Sequence, residues 1–141
     1  MLRPPHVWIA SAAFSLAAAL PLPASAQAQG APSGPISQAG MTDMALAAAV
    51  NVCELAVEEK LAVQKSVLAM AKAMTYVVTN RYGSEVAGAG RLQPEQIANG
   101  SILQVVGRVK QGCYDKLTSA DKKFVDDVLE EYRKAAETRS R

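Results

Sequence analysis

Apolar residues along this chain recur mostly at steps of three and four, the spacing of one face of an α-helix. Leu46, Val50, Cys53 and Val57 follow steps of four, three and four and form a first stripe, which predicts that Cys53 points inward. Projected onward, the stripe meets Lys60 and Gln64 before it turns apolar again at Val67, Ala71, Met74 and Val78, with Val63 and Met70 beside it. An unbroken helix from Asp43 to Tyr82 would be about 60 Å long, longer than the body of a compact domain of this size. A bend or break between Glu58 and Gln64 is therefore expected, although no Gly or Pro marks it, and one long projecting helix is the alternative.

Punctuation residues divide the rest. Thr42 is a suitable N-cap with Asp43 in the first turn, and Gly83 after Arg81 and Tyr82 is a suitable stop. The run Gly83 to Arg91, with three Gly and no periodicity, reads as a loop. Pro94 fits the first helical position of the next helix, Glu95 complements its dipole, and Leu92 is placed to staple onto Ile97. Gly100 is expected to break this helix and Ser101 to recap it, after which Ile102, Val106, Val109, Cys113 and Leu117 form an inward stripe. Thr118 to Asp121 resembles a capping box opening a last helix that carries Phe124, Val128 and Tyr132. Tyr76 to Thr79 is β-favouring, but it has no partner strand pattern and is kept helical. The expected fold is all-α, an antiparallel bundle of three or four helices over residues 42–137 with a frayed tail at 138–141. Gly100 and Gly107, on nearly one face, would let helices approach closely.

Two segments of different composition precede that domain. After Met1-Leu2-Arg3 the chain runs uncharged from Val7 to Leu22, and Pro21 and Pro23 end the apolar run. That is short of the roughly 20 residues a spanning helix needs. Ala24 and Ala26 supply the small residues a signal peptidase reads, so residues 1–26 are expected to be a signal peptide cleaved between Ala26 and Gln27, leaving no stable membrane anchor. No Cys near that point can accept a lipid, and no twin Arg precedes the apolar run. Residues 27–41, poor in charge and bulk, read as a flexible leader.

Cleavage changes the available chemistry. It removes Arg3, His6 and Trp8, so the expected exported chain has no His and no Trp, and its formal charge falls by one from the precursor's +2. The signs are interspersed, which argues against a nucleic-acid partner or an acidic membrane surface. Without His the chain lacks Ser-His-Asp and Cys-His catalysis and the usual His-bearing zinc and haem sites. No phosphate-binding Gly motif or calcium loop occurs. No catalytic, cofactor-binding or metal residue is therefore assigned, and no cofactor is expected.

Two cysteines on the inward stripes of different helices, in an exported chain, predict a Cys53–Cys113 disulfide. Such a bridge would contribute roughly 4 kcal/mol by the chain-entropy argument. A redox or metal pair is the rival, and the absence of a CxxC spacing speaks against it. The Gly-rich run between Arg81 and Arg91 suggests a phosphate cradle, which Glu85 opposes. Glu54 and Glu58, one turn apart, read as a solvated face, and Met44, Met70 and Met74 as core filler. Tyr76, Arg81 and Tyr82 near a helix end, with Arg91 across the loop, form the candidate interaction patch.

The reading that follows is a non-enzymatic accessory or interaction protein, exported to the periplasm or a comparable oxidising compartment, working through an unidentified protein partner or self-association. In size, export signal and single disulfide the chain is similar to small periplasmic acid-stress chaperones, whose motifs it lacks. That likeness makes a stress chaperone or small apolar-ligand carrier the alternative. A hydrolase using Glu54 and Glu58 alone is the remaining enzymatic option.

Overall fold

The computed structural model describes residues 34–139. The expected signal peptide, the Ala26–Gln27 cleavage site and the first part of the expected leader, residues 27–33, lie outside the described residues. Four helices pack together: α1 (Gln38–Val57), α2 (Val63–Tyr82), α3 (Pro94–Gly112) and α4 (Ser119–Arg139). A small antiparallel hairpin, β1 (Glu85–Val86) and β2 (Gly90–Arg91), joins α2 to α3, and a 3₁₀ turn (Tyr114–Lys116) precedes α4.

The break between α1 and α2 falls where the polar interruption of the stripe placed it. Lys60 takes a left-handed φ of 55° in place of a glycine, and the Leu61 N–H returns to the Leu55 carbonyl at 3.0 Å. A non-glycine residue pays a steric cost in that conformation. The Lys60 ammonium in turn donates to the Val57 carbonyl at the helix end.

Ala62, just before α2, has no polar side chain to cap it. Its first N–H, from Val63, is satisfied instead by Asp121 Oδ1 of α4 at 2.8 Å. Asp121 also belongs to the expected box at the start of α4, where its N–H donates to Thr118 Oγ1 at 3.2 Å and the Thr118 hydroxyl donates to Oδ2 at 2.6 Å. One carboxylate thus serves two helix N-termini, where partial positive charge favours it.

The ties fix the helix directions. Ile36, just before α1, bridges Val86 in the hairpin between α2 and α3, whereas Cys53 and Cys113 join the far ends of α1 and α3. Val63 and Asp121 place the starts of α2 and α4 together. Consecutive helices therefore alternate in direction, as a bundle with short links requires. The core is mostly β-branched: Val52, Val67, Val78, Ile97, Val105, Val106, Val109 and Val125 are fully buried.

Several expectations need correction. The domain starts earlier than residue 42, because Ile36 is 3% exposed and its N–H donates to Glu85 O while its carbonyl accepts from Ala87. Ser37, not Thr42, caps α1, accepting from the Gly40 N–H at 2.9 Å. A polar residue five positions further on could not compete once Ile36 had fixed the entry. The Gly83–Arg91 loop contains the hairpin, with Gly88 at φ 82° in its turn and Gly90 at φ 75° opening β2. Gly100 does not break α3, since buried Ser101 continues it, and neither Gly100 nor Gly107 has a neighbour within 4 Å of an added Cβ, so neither permits a close helix contact. At the other end α4 stays helical through Arg139, into the expected frayed tail.

Candidate functional site

The inward stripe assigned to α1 is where sequence and structure part most. Leu46 and Val50 are 50% and 58% exposed. The face that packs inward is made of Ala45, Ala48, Ala49, Val52 and Ala56, with Met41 at its start. Small side chains let α1 lie close to α3, which is what a disulfide with Cα atoms 5.9 Å apart needs. Cys53 is partly exposed and Cys113 nearly buried, so the bridge sits at the edge of the core, not inside it. The pairing itself is present, at S–S 2.01 Å.

By length and composition α1 is apolar enough to cross a membrane, yet only a third of its most apolar stretch is buried in the bundle. Its remaining apolar face forms one wall of a groove of about 410 Å³. It is lined from one side by Leu46, Ala49, Val50, Cys53 and Glu54 of α1 with Glu58 just past the helix end, and from the other by Arg108 and Gly112 of α3, Cys113, and Lys116 in the 3₁₀ turn. Apolar floors with a few charged groups at the rim are the usual make-up of binding clefts. The four rim charges take no part in the ion pairs between described residues, which join Glu85–Arg91, Lys110–Asp126, Lys123–Asp127, Arg133 with Glu130 and Glu137, and Lys134–Glu130. Glu54 and Glu58 share this rim one turn apart, with basic groups and no third acid across from them.

The patch expected around Tyr76 is less coherent. Tyr76 is 71% exposed and lines a shallow groove with Lys72, Thr75, Pro94 and Ala98. Tyr82 packs against the core, and Arg81, five residues after Tyr76, lies about 140° around the helix from it. Arg91 is held by Glu85 at 3.1 Å, so the one acid in the Gly-rich run neutralises the cation that would have met phosphate. Tyr76 and Arg81, at that angle, do not share one helix face. A second apolar groove, about 520 Å³, lies between α2, α3 and α4, lined by Leu68, Ile102, Leu103, Phe124, Val128 and Tyr132. Met44 and Met70 pack against the core and Met74 is buried in it, as expected of filler.

A polar clamp fastens α4 to the end of α3 behind the disulfide. Lys110 Nζ donates to Asp126 Oδ1 at 2.8 Å and lies 3.3 Å from the centre of the Tyr114 ring, whose hydroxyl donates to Asp126 Oδ2 at 2.5 Å. The hydrogen bonds from Lys110 and then Tyr114 hold the Asp126 carboxyl below the usual carboxylate range, and the bond to Asp126 raises Lys110 above the usual lysine range. Among the described residues no group of three or more His, Cys, Asp or Glu is placed to hold a metal ion.

Sequence reasoning missed the outward groove because it weighed bulk over position. The available signal was the second, Ala-built stripe of α1, offset from Leu46 and Val50 and equally helical in period.

No curated protein and no solved structure matches the chain. A family match does cover it from the first turn of α1 to the last turn of α4, both cysteines included: over residues 39–137 the chain matches, and belongs to, the family described as "Domain of unknown function (DUF8650)".

Proposed function

We propose that this is an exported, non-enzymatic interaction protein that works through the groove between α1 and α3. The observation that carries the reading is the inversion on α1, where alanines face the core while Leu46 and Val50 stand half exposed beside the disulfide. Exposing bulk while burying small residues sacrifices hydrophobic stabilisation that the opposite arrangement would give, so the exposed side chains are best explained by a second surface that covers them. The disulfide supports an oxidising compartment, and the apolar, uncharged N-terminal run supports export. The chemistry of the rim, two acids on one wall and two bases on the other, supports recognition over catalysis.

A photo-crosslinking residue placed at Val50 in the exporting cell tests this. Adducts are expected at Val50 and not at the exposed Lys72 on α2; equal labelling at both positions, or none at Val50, would refute it. A second reading, carriage of a small apolar ligand, is favoured by the groove's volume, which falls within the range of small-molecule clefts. It requires that a dye such as ANS bind the native protein somewhere between neutral and acid pH, with binding lost in Leu46→Asp.

A further inference from the structure

We infer that the groove between α1 and α3 is a self-interface: its occupant is a second copy of this chain, related by a two-fold axis running along the groove. The inference rests on the reading above and names its partner.

The argument begins with the placement of charge. Glu54 and Glu58 stand on the α1 wall and Arg108 and Lys116 on the α3 wall, with the apolar floor between them. None of the four is used in an ion pair within the described residues. A two-fold axis along the groove turns one copy over onto the other and exchanges left for right. The acidic wall of each copy then lies over the basic wall of the other, and the match occurs twice, as an isologous interface requires. A two-fold across the groove would set acid over acid. The surface is thus self-complementary in one orientation and self-repelling in the other, which is how charge selects an arrangement.

Height along the groove agrees. The disulfide holds Cys53 level with Cys113; Glu58, just past the end of α1, and Lys116, in the 3₁₀ turn after α3, each follow their cysteine at the same end of the groove. The axis preserves height, so these two fall at the same end of the interface. Arg108 lies five residues, or ~7.5 Å, before the bridge and comes nearest in height to Val50 of the other copy, which its stem covers; Glu54 stands ~9 Å further along the axis, so the close charge match is the one at the Glu58 end.

Gly112 supplies an independent sign. A Cβ built on it would meet only Cys53 Sγ, at 3.9 Å, an ordinary contact, and its backbone is not left-handed. The fold of one chain therefore does not require glycine here. The exposed Gly112 leaves that side of the groove open to a side chain such as Val50 from the facing copy.

The test is the mass of the protein, purified with its disulfide formed, by sedimentation over a range of concentrations. A monomer–dimer equilibrium is expected. Glu54→Lys with Glu58→Lys, and separately Arg108→Glu with Lys116→Glu, should each raise the dissociation constant at least about tenfold. Mixing the two variants should restore association, because each then presents the other with opposite charge on both walls. Gly112→Leu should weaken association by a similar factor while circular dichroism stays unchanged. A protein that is monomeric throughout, or a dimer indifferent to both charge reversals, overturns the self-interface. In that event adducts at Val50 with another molecule would leave the interaction reading standing, and their absence would remove both.

Discussion

The two faces of α1 invert the usual relation between size and burial. Inside are Ala45, Ala48, Ala49 and Ala56 around a single Val52; outside are Leu46 and Val50. α3 shows the conventional arrangement, with Ile97, Val105, Val106 and Val109 all buried. The contrast teaches that α1 is placed for nearness and α3 for volume. α1 must lie close enough to α3 for a disulfide, and what it gives up in buried bulk the covalent tie offsets.

The largest effect should come from removing that tie. Cys53→Ser with Cys113→Ser is expected to lower stability by about 3–4 kcal/mol, since the bridge closes a 60-residue separation. Chemical denaturation of the double variant measures it, and a loss under about 1 kcal/mol would mean that the alanine face holds α1 by itself. Next is size at the inner face. Ala48→Leu should destabilise by about 1–3 kcal/mol through overpacking, while Val50→Ala should change the monomer by no more than about 0.5 kcal/mol. Thermal melts of the two side by side would break the comparison if the order were reversed.

The shared cap ranks third. Asp121→Ala should cost about 1–2 kcal/mol, because it uncaps α2 and α4 together, whereas Thr118→Ala should cost less by sparing Val63. Equal losses in urea titrations would show that the bond from α2 contributes nothing. The smallest effect belongs to the clamp at Asp126. Its carboxyl is held low, so the stability it adds is full above the ordinary carboxylate range and disappears as pH falls through its lowered value. Lys110, held high, loses its share only as pH rises through its own raised value. The gap between wild type and Asp126→Asn should therefore be present at neutral pH and close in strong acid; a constant gap would assign it to packing.

Legibility followed the side chains' commitment. Val67, Ala71, Met74 and Val78 on α2, and Val106, Val109, Cys113 and Leu117 around α3, were readable because each apolar stripe has polar flanks. The disulfide was readable from two cysteines on separate helices, though its seat at the core's edge was not. On α1 the sequence offers two apolar stripes, and alanine, indifferent in hydropathy, does not announce which one is buried. The hairpin escaped notice because residues 85–86 and 90–91 are too few to alternate, and its stability depends on Ile36 from far away in sequence. Asp121 reads as a local cap, but no local pattern reveals its bond to a backbone 58 positions earlier. The groove shares that origin: its walls come from helices that only the folded chain brings side by side.

The anchoring of Ile36 sets a practical boundary for handling this protein. Its backbone is stitched to Glu85 and Ala87, so proteolytic trimming past Ile36 unpicks the hairpin and exposes the entry to α1. The same stitch fixes where anything attached in front must emerge. A tag or carrier joined there leaves from the hairpin end, roughly 22 Å along α1 from the disulfide, and keeps clear of the groove's charged rim. A fluorophore or surface tether at that end would hold the molecule with the groove between α1 and α3 free.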